Sequence, residues 1–311
     1  MRTLGSEGYL PTFSVLIGRA STEDSARILE TLDALRAQQG SPAHEVVIVD
    51  RLADTITDRI RADYPEVQLF LCPAATSLPE MRWLALCKAH GDFVAVTEDH
   101  CVPPRNWLAS MDECFRMAPV RTAAVGGIIE NGVCERALDW ATFLCEYSAF
   151  LASSLNGPSV SLPGMNVAYR RSDILALDQS VLRRGFWETT VHPLLLEKGL
   201  VFYFSQTVRV LHKKKFSFSL FARQRFLYSR YFAGVRFKQH QVVARWAMCF
   251  LALALPPVLL VRIVRNALAK REVLPELPRT LPYLIIFTII WALGEMVGYV
   301  RGPGDALVRI E

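Results

Sequence analysis

The stretch DFVAVTEDHCVPPRNWL, residues 92–108, joins an apolar run to three polar side chains. The run ends at Glu98, Asp99 and His100, and a Pro pair and Trp107 follow. Glu98 and His100 are two residues apart, so on an extended segment they point to the same side and could share one divalent cation. Taken alone, an E-x-H at a strand end more often indicates a solvated turn. The interpretation therefore depends on the rest of the chain.

Three apolar runs precede this stretch and alternate with helical patterns. The runs are FSVLIG (13–18), HEVVIVD (44–50) and VQLFLC (67–72). Short apolar strands separated by helices predict an α/β fold with a mostly parallel sheet flanked by helices. Ligands bind at the carboxyl ends of such strands, where both Asp50 and the Glu98–His100 cluster fall. No GxGxxG follows the first strand and no GxxxxGK[ST] occurs, which argues against a Rossmann dehydrogenase and a P-loop NTPase.

The last quarter of the chain concentrates the apolar residues. Residues 246–261 contain no charge, and residues 281–300 contain a single acid, Glu295. Each run approaches the roughly 20 residues that cross a bilayer. The basic, aromatic stretch 209–245 contains no acid, and directly before apolar runs it favours an interfacial anchor on anionic lipid over a nucleic-acid site. The alternative is a pair of buried helices in a large soluble core.

These patterns predict three parts: an α/β domain over 1–215, a basic amphipathic segment over 216–245, and a membrane region over 246–311 with spans at about 246–264 and 281–300. The loop 262–280 carries five Lys and Arg residues, which conflicts with a hairpin that places this loop across the membrane. The sequence therefore leaves re-entrant and interfacial arrangements open.

The compartment is predicted from cysteine usage and from the first residues. Seven cysteines without C-x-x-C spacing indicate reduced thiols. The first residues, MRTLGSEGYLPTF, lack the apolar core of a signal peptide. We therefore expect a cell-membrane location with the α/β domain on the cytoplasmic face.

The order of these features resembles the family 2 glycosyltransferases, which have the nucleotide-sugar-binding GT-A fold. The matching segments, over roughly residues 12–230, include VVIVD, TEDHCVPPRNWL and GMNVAYRR (164–171). The family's catalytic segment carries an acid pair, a Gly eleven residues after the second acid, and a His thirteen residues later. Glu188, Gly199 and His212 reproduce both spacings. The resemblance implies sugar transfer from a nucleotide sugar, with a UDP-sugar as the expected donor.

The resemblance also implies roles for individual residues. Glu98 and His100 match the outer positions of the DxD motif and, with His212, would bind Mn²⁺ or Mg²⁺. An imidazole ligand shifts the preference toward Mn²⁺. Glu188 matches the general base of an inverting transfer. The donor-binding set comprises Asp50, Arg82, Asp99 and Asn166.

Several of these roles have alternatives. Asp50 could cap a turn, Arg82 could anchor its helix to the sheet, and Asn166 could be a turn former. Glu188 could be an exposed residue at a helix start. Asp99, in the variable middle position, is expected to face the sugar or water.

A partial Q-[QR]-x-R-W motif, QRFLY (224–228), adds weaker expectations. Tyr228 could stack on an acceptor sugar, and Arg225 or Arg230 could contact diphosphate. Trp187 is expected near the acceptor. The missing Arg at Leu227 argues against polymer extrusion, so we expect single transfer to a lipid or lipid-linked acceptor of a cell-envelope glycan.

The chain departs from the family pattern at several positions, with E-x-H for DxD, Trp187-Glu188 for the acid pair and VDRLA for VDDGS. The departures motivate an alternative: an inactive homologue that acts as a binding or scaffold subunit of a membrane glycan assembly.

Overall fold

The computed structural model of the chain describes residues 11–151, 156–237 and 240–310. The segment 1–10, on which the signal-peptide prediction rests, lies outside the described residues. The described part is built around one mixed sheet with helices on both faces. The strands are β1 Phe13–Arg19, β2 His44–Asp50, β3 Gln68–Leu71, β4 Phe93–Glu98, β5 Cys101–Val102, β6 Thr122–Asn131, β7 Gly157–Ser159, β8 Val167–Arg170 and β9 Val201–His212.

The helices follow the strands in the first half of the chain and dominate its last third. They are α1 Arg27–Arg36, α2 Thr55–Asp63, α3 Leu78–Lys88, α4 Trp107–Met117, α5 Ala137–Tyr147, α6 Arg171–Leu175, α7 Gln179–Arg184, α8 Glu188–Glu197, α9 Phe218–Arg236, α10 Val242–Leu251, α11 Leu255–Leu268 and α12 Leu277–Arg301. The prediction of strands alternating with helices is confirmed up to β4. Helix α2 lies in a polar stretch without an apolar period, and Asp54 starts it with a capping box.

The sheet has the order β3-β2-β1-β4-β8-β6-β9-β5, and β7 pairs with β9. The first four strands are parallel, as predicted, and every residue of β1 is buried because helices cover both faces. Strand β8 lies between β4 and β6 and is antiparallel to both, which makes the second half of the sheet mixed. Apolar patterning does not specify the direction of such a strand, so the sequence could not show this reversal.

Helix α12 packs along α9 through two close approaches. A Cβ on Gly294 would lie 1.9 Å from Ser229 Oγ, and one on Gly298 would lie 2.4 Å from the Arg230 carbonyl oxygen. The two glycines therefore allow the helix backbones to come together, as small residues four apart do in membrane proteins. This packing holds α12 parallel to α9.

The segments Val242–Leu268 and Leu274–Arg301 are long and apolar enough to cross a membrane, judged by length and composition. Their connection nevertheless lies against the α/β domain. Val273 is 1% exposed within the main apolar cluster, and Arg279 donates to the Cys134 carbonyl oxygen. The segment that follows α12 also returns to the domain, because Arg51 donates to the Ile310 carbonyl oxygen. The start of α12 and the segment after it thus both contact the sheet domain.

Candidate functional site

The candidate site lies at the carboxyl edge of the sheet, where β4 ends at Glu98 and β9 ends at His212. The short strand β5 pairs antiparallel with the end of β9, and this pairing sets Cys101 opposite His212. His100, the preceding residue, is thereby brought to the same place. The topology therefore joins two histidines that are 112 positions apart in the sequence.

Glu98, His100 and His212 form a cluster with the geometry of a metal site, and we call these three residues the metal-type cluster. His100 Nε2 lies 3.2 Å from Glu98 Oε2 and 3.1 Å from His212 Nε2. One potential ligand atom from each residue lies within 4.8 Å of the others. Two nitrogens that each lie about 2.1 Å from one cation, at right angles, are about 3 Å apart. The residues present therefore fit a divalent cation, and two imidazoles with one carboxylate suit Mn²⁺ better than Mg²⁺.

Neighbouring groups prepare these side chains for a cation. Burial would raise the pKa of Glu98, but His100 and Arg82 hold that pKa at about 2. Burial lowers the pKa of His212 well below its ordinary value, so its imidazole stays neutral with a lone pair available. His100 Nδ1 lies 2.7 Å from Asp99 Oδ1. Asp99 thus orients the His100 ring, as the outer-shell carboxylate of a metal-binding histidine does.

Arg82 links the metal-type cluster to Glu188. Its Nη2 donates to Glu98 at 3.2 Å and its Nη1 donates to Glu188 at 3.3 Å, and the residue is 4% exposed. Helix α3 presents Arg82 in its second turn, after a capping box between Ser77 and Glu80. Arg82 therefore holds two carboxylates in one frame, a role that neither sequence alternative described.

Glu188 is the first residue of α8 and faces the same edge of the sheet. Its Oε1 accepts a 2.8 Å hydrogen bond from Trp187 Nε1. A Cβ on Gly164 would lie 2.3 Å from Glu188 Oε2, so the absence of a side chain there makes room for the carboxylate. Burial raises the pKa of Glu188 despite the Arg82 charge. A raised pKa makes this carboxylate a stronger proton acceptor.

Two adjoining cavities meet at these residues. The larger cavity, about 560 Å³, is lined by Arg82, Glu98, Glu188 and residues of α5, α9, α10, α11 and α12. The smaller one, about 40 Å³, is lined by Glu98, His100 and His212. Glu98 and Tyr228 border both cavities. The arrangement can therefore hold a charged group at the cluster and a second molecule in the larger cavity.

Glu146 also borders both cavities, and sequence reasoning missed it. Burial raises the pKa of its carboxyl group. It lies near the end of α5 in no pattern of charge or spacing that could have indicated it. Trp187, Arg225 and Tyr228, which the sequence had grouped as acceptor residues, do line the larger cavity.

Three predicted residues lie outside this arrangement. The Asp50 carboxylate is fully buried and bonded to Arg19 (2.8 Å), to Thr57 and to the Leu52 backbone N–H. The Asn166 side chain, also fully buried, donates to the Ile128 and Val208 carbonyl oxygens and accepts from Trp107 Nε1. Arg230 donates to the Gly302 carbonyl oxygen. In this structure each of these side chains ties elements of the fold together.

No family model and no curated protein matches the chain. Among solved structures, the mannosyltransferase PcManGT from Pyrobaculum calidifontis, in complex with GDP-Man and Mn²⁺, is 17% identical, with 93% of this chain and 88% of that chain covered and a TM-score of 0.54. This similarity shows a shared fold and confirms the predicted GT-A-like class. The alignment covers 93% of this chain, whereas the predicted α/β domain ends at residue 215. It therefore extends into the helices that follow this domain.

Two further structures are less similar. TarS 1–349 of S. aureus is 15% identical, with 70% of this chain and 64% of that chain covered and a TM-score of 0.47. GalNAc-T7, solved with UDP, GalNAc and Mn²⁺, is 17% identical, with 67% and 44% covered and a TM-score of 0.49. The chain spans less than two thirds of both.

Proposed function

We propose that the protein is a metal-dependent, inverting glycosyltransferase that transfers one sugar from a nucleotide sugar to a membrane-associated acceptor. The observation that carries this proposal is the Glu98–His100–His212 cluster, which Arg82 connects to Glu188 at the carboxyl edge of a GT-A-like sheet. Glycosyl transfer requires a cation that stabilises the leaving diphosphate and a base that accepts the proton of the acceptor hydroxyl. The cluster and Glu188 could supply these two functions.

The GDP-Man and Mn²⁺ bound to PcManGT support a nucleotide-sugar donor and a divalent cation for this chain as well. The resemblance of the sequence favours a UDP-sugar, whereas PcManGT binds a GDP-sugar. We therefore propose a nucleotide-sugar donor. The donor screen described at the end of this section identifies its nucleobase.

We assign two functions to the site, one to the metal-type cluster and one to Glu188. A cation bound at the cluster would neutralise charge on the leaving diphosphate. Glu188 takes the proton from the acceptor hydroxyl, and burial supports this because it raises the pKa of the carboxylate. Arg82 keeps Glu188 beside Glu98, so the base and the leaving group are positioned in one rigid frame. Attack from the side opposite the diphosphate gives inversion.

Helices α10, α11 and α12 support attachment to a membrane. Trp246, Phe250, Val261 and Ile289 are among the large apolar side chains exposed on α10, α11 and α12. We propose that this face lies on the cytoplasmic side of the cell membrane and brings the larger cavity to lipid. Because the start of α12 and the segment after it both contact the sheet domain, we propose that the helices lie along the membrane.

Three cations of the basic stretch pair with acids of the protein itself: Arg209 with Glu130, Lys213 with Glu30, and Lys215 with Glu135. Such pairing reduces the charge that this part of the stretch offers to a phosphate backbone.

The test is a donor screen that measures release of free nucleoside diphosphate from UDP- and GDP-sugars, with Mn²⁺ and membranes as the acceptor source. We expect turnover by the wild type and loss of most of it in Glu188→Gln, with His90→Gln as an exposed control. The scaffold alternative, motivated by the departures at His100 and Trp187, gains support if no donor turns over and Glu188→Gln changes nothing in cells.

A further inference from the structure

The larger cavity has both polar and apolar lining. Arg82, Glu98 and Glu188 line it beside the metal-type cluster. Leu251, Leu255 and Leu259 of α10 and α11 line it as well. A ligand that fills this cavity must therefore carry a polar group and an apolar part.

Arg225 lines the same cavity and has no hydrogen-bond partner among the described residues. It is 7% exposed, its Nε is unsatisfied, and no ion pair with a described residue engages its guanidinium. Its guanidinium carbon lies 4.1 Å from the centre of the Trp291 ring. A cation–π contact offsets only part of the cost of burying such a group. By contrast, Arg82 in the same cavity is paired with two carboxylates.

Other charges around Arg225 leave its hydrogen-bonding capacity open. Glu146 lines the cavity and contributes an opposite charge, but no ion pair joins it to Arg225. Arg262, which is exposed, adds a second cation to the lining. Arg236 is engaged by Glu295. Arg225 therefore has N–H donors, its buried Nε–H among them, that no described side chain uses and that an anion could accept.

We propose that Arg225 binds the phosphate of a lipid acceptor, whose hydrocarbon chain runs along α10 and α11 and whose hydroxyl-bearing end reaches Glu188. This inference rests on the proposed function and specifies its acceptor class. A planar guanidinium can form two parallel bonds to phosphate oxygens, and Leu251, Leu255 and Leu259 in the lining suit an alkyl chain. The phosphate would supply the anion that this buried cation lacks.

The donor diphosphate is a poorer match for Arg225. The smaller cavity, which holds the metal-type cluster, is lined by Gln224 and Tyr228 but not by Arg225. A leaving diphosphate belongs at that cluster, so the second anion site serves another molecule. A free phosphate would leave the apolar wall unused.

The test measures binding of hexadecyl phosphate, hexadecanol and inorganic phosphate to the full chain in detergent, by native mass spectrometry. We expect the wild type to bind hexadecyl phosphate more tightly than hexadecanol by about tenfold or more. Arg225→Gln should abolish this preference, and Arg223→Gln, an exposed arginine on the same helix, should keep it. Arg225→Lys keeps the charge without the planar fork and should retain part of the preference, which guards against misfolding of the Gln variant.

Equal binding of the two lipids by the wild type, or an unchanged preference in Arg225→Gln, overturns the proposal. Tight binding of inorganic phosphate alone overturns the lipid part. Mn²⁺-dependent binding of UDP and GDP is measured on the same samples. A preference for hexadecyl phosphate without nucleotide binding or donor turnover supports the Arg225 site and contradicts the proposed transferase activity. Nucleotide binding and donor turnover without this preference support the transferase activity and contradict the Arg225 site.

Discussion

His100 Nε2 lies 3.1 Å from His212 Nε2, and the two rings meet edge to face. Burial lowers the pKa of His212 well below its ordinary value, whereas bonds to Asp99 and Glu98 outweigh burial and raise the pKa of His100. A proton on His100, hydrogen-bonded to Glu98 and Asp99, can thus take the place of a bound cation. The pair is built to hold positive charge at the carboxyl edge of the sheet.

A shared cation makes Mn²⁺ affinity depend on both rings. We expect His212→Ala to weaken Mn²⁺ binding by more than about tenfold, since losing even an outer-shell partner can cost that much. Asp99→Asn should have a smaller effect, because it disturbs only the orientation of His100. Mn²⁺ titration followed by electron paramagnetic resonance measures both, with His90→Ala as the exposed control. Unchanged affinity in His212→Ala would mean that the cluster does not bind Mn²⁺.

The bond from Trp187 to Glu188 predicts a pH effect. Burial raises the pKa of Glu188, and the Trp187 hydrogen bond opposes this by favouring the ionised form. A base works only when deprotonated, so activity is lost as the pH falls through this pKa. Trp187→Phe removes the bond, raises the pKa further and should move the acid limb of kcat/KM up by about one pH unit. An acid limb that stays in place in Trp187→Phe would contradict the role of Glu188, and Trp83→Phe is the control that should leave the limb unchanged.

Apolar runs predicted the first four strands, and Glu98 and His100 stand where the fourth run ends. His212 was predicted only by the resemblance, through its spacing from Glu188 and Gly199. The link through Arg82 could not be predicted, since it joins Glu98 to a residue 90 positions later and depends on the packing of α3 against β1 and β2. Glu146 was missed because a single acid at the end of an apolar helix carries no pattern. The position of α12 depends on tertiary contacts at Gly294 and Gly298, which composition does not report.

The role of Asn166 separates the structure from the sequence expectation. Its side chain joins β6, β9 and Trp107, so Asn166→Ala leaves buried polar groups without partners. We expect a loss of about 2–3 kcal/mol in the free energy of unfolding with an unchanged KM for the donor. Chemical denaturation and donor kinetics measure the two quantities. Asn106→Ala, an exposed position, is the control. A raised KM without a stability loss would return Asn166 to the donor pocket.

The segment after α12 supports the wall of the site. Ile310 is fully buried in a cluster with Trp187, Leu227 and Ala306, and its carbonyl oxygen accepts from Arg51. Ile310→Ala should reduce the free energy of unfolding by about 3 kcal/mol, because it leaves a cavity beside Trp187. Val308→Ala, half-exposed on the same segment, should change it little. Equal effects of the two substitutions in thermal unfolding would show that Ile310 does not pack as described.

The position of the connection between α11 and α12 gives a test of membrane topology. Val273 and Arg279 hold this connection against the α/β domain, so Glu272 should lie on the same side of the membrane as Asp58. We expect Glu272→Cys and Asp58→Cys, each in a Cys87→Ser, Cys134→Ser background, to react with a membrane-impermeant maleimide only after cells are lysed. Both side chains are about four-fifths exposed, so access to the reagent is matched.

A hairpin that crosses the bilayer would instead expose Glu272→Cys, and not Asp58→Cys, in intact cells. The five basic residues of 262–280 favour the first outcome, because Lys and Arg near apolar helices remain on the cytoplasmic side. Because Arg279 at the start of α12 and Ile310 after its end both contact the α/β domain, the helices need not carry these charges across. Labelling in intact cells would therefore contradict the arrangement of α10, α11 and α12 along the membrane, whatever the activity of the protein.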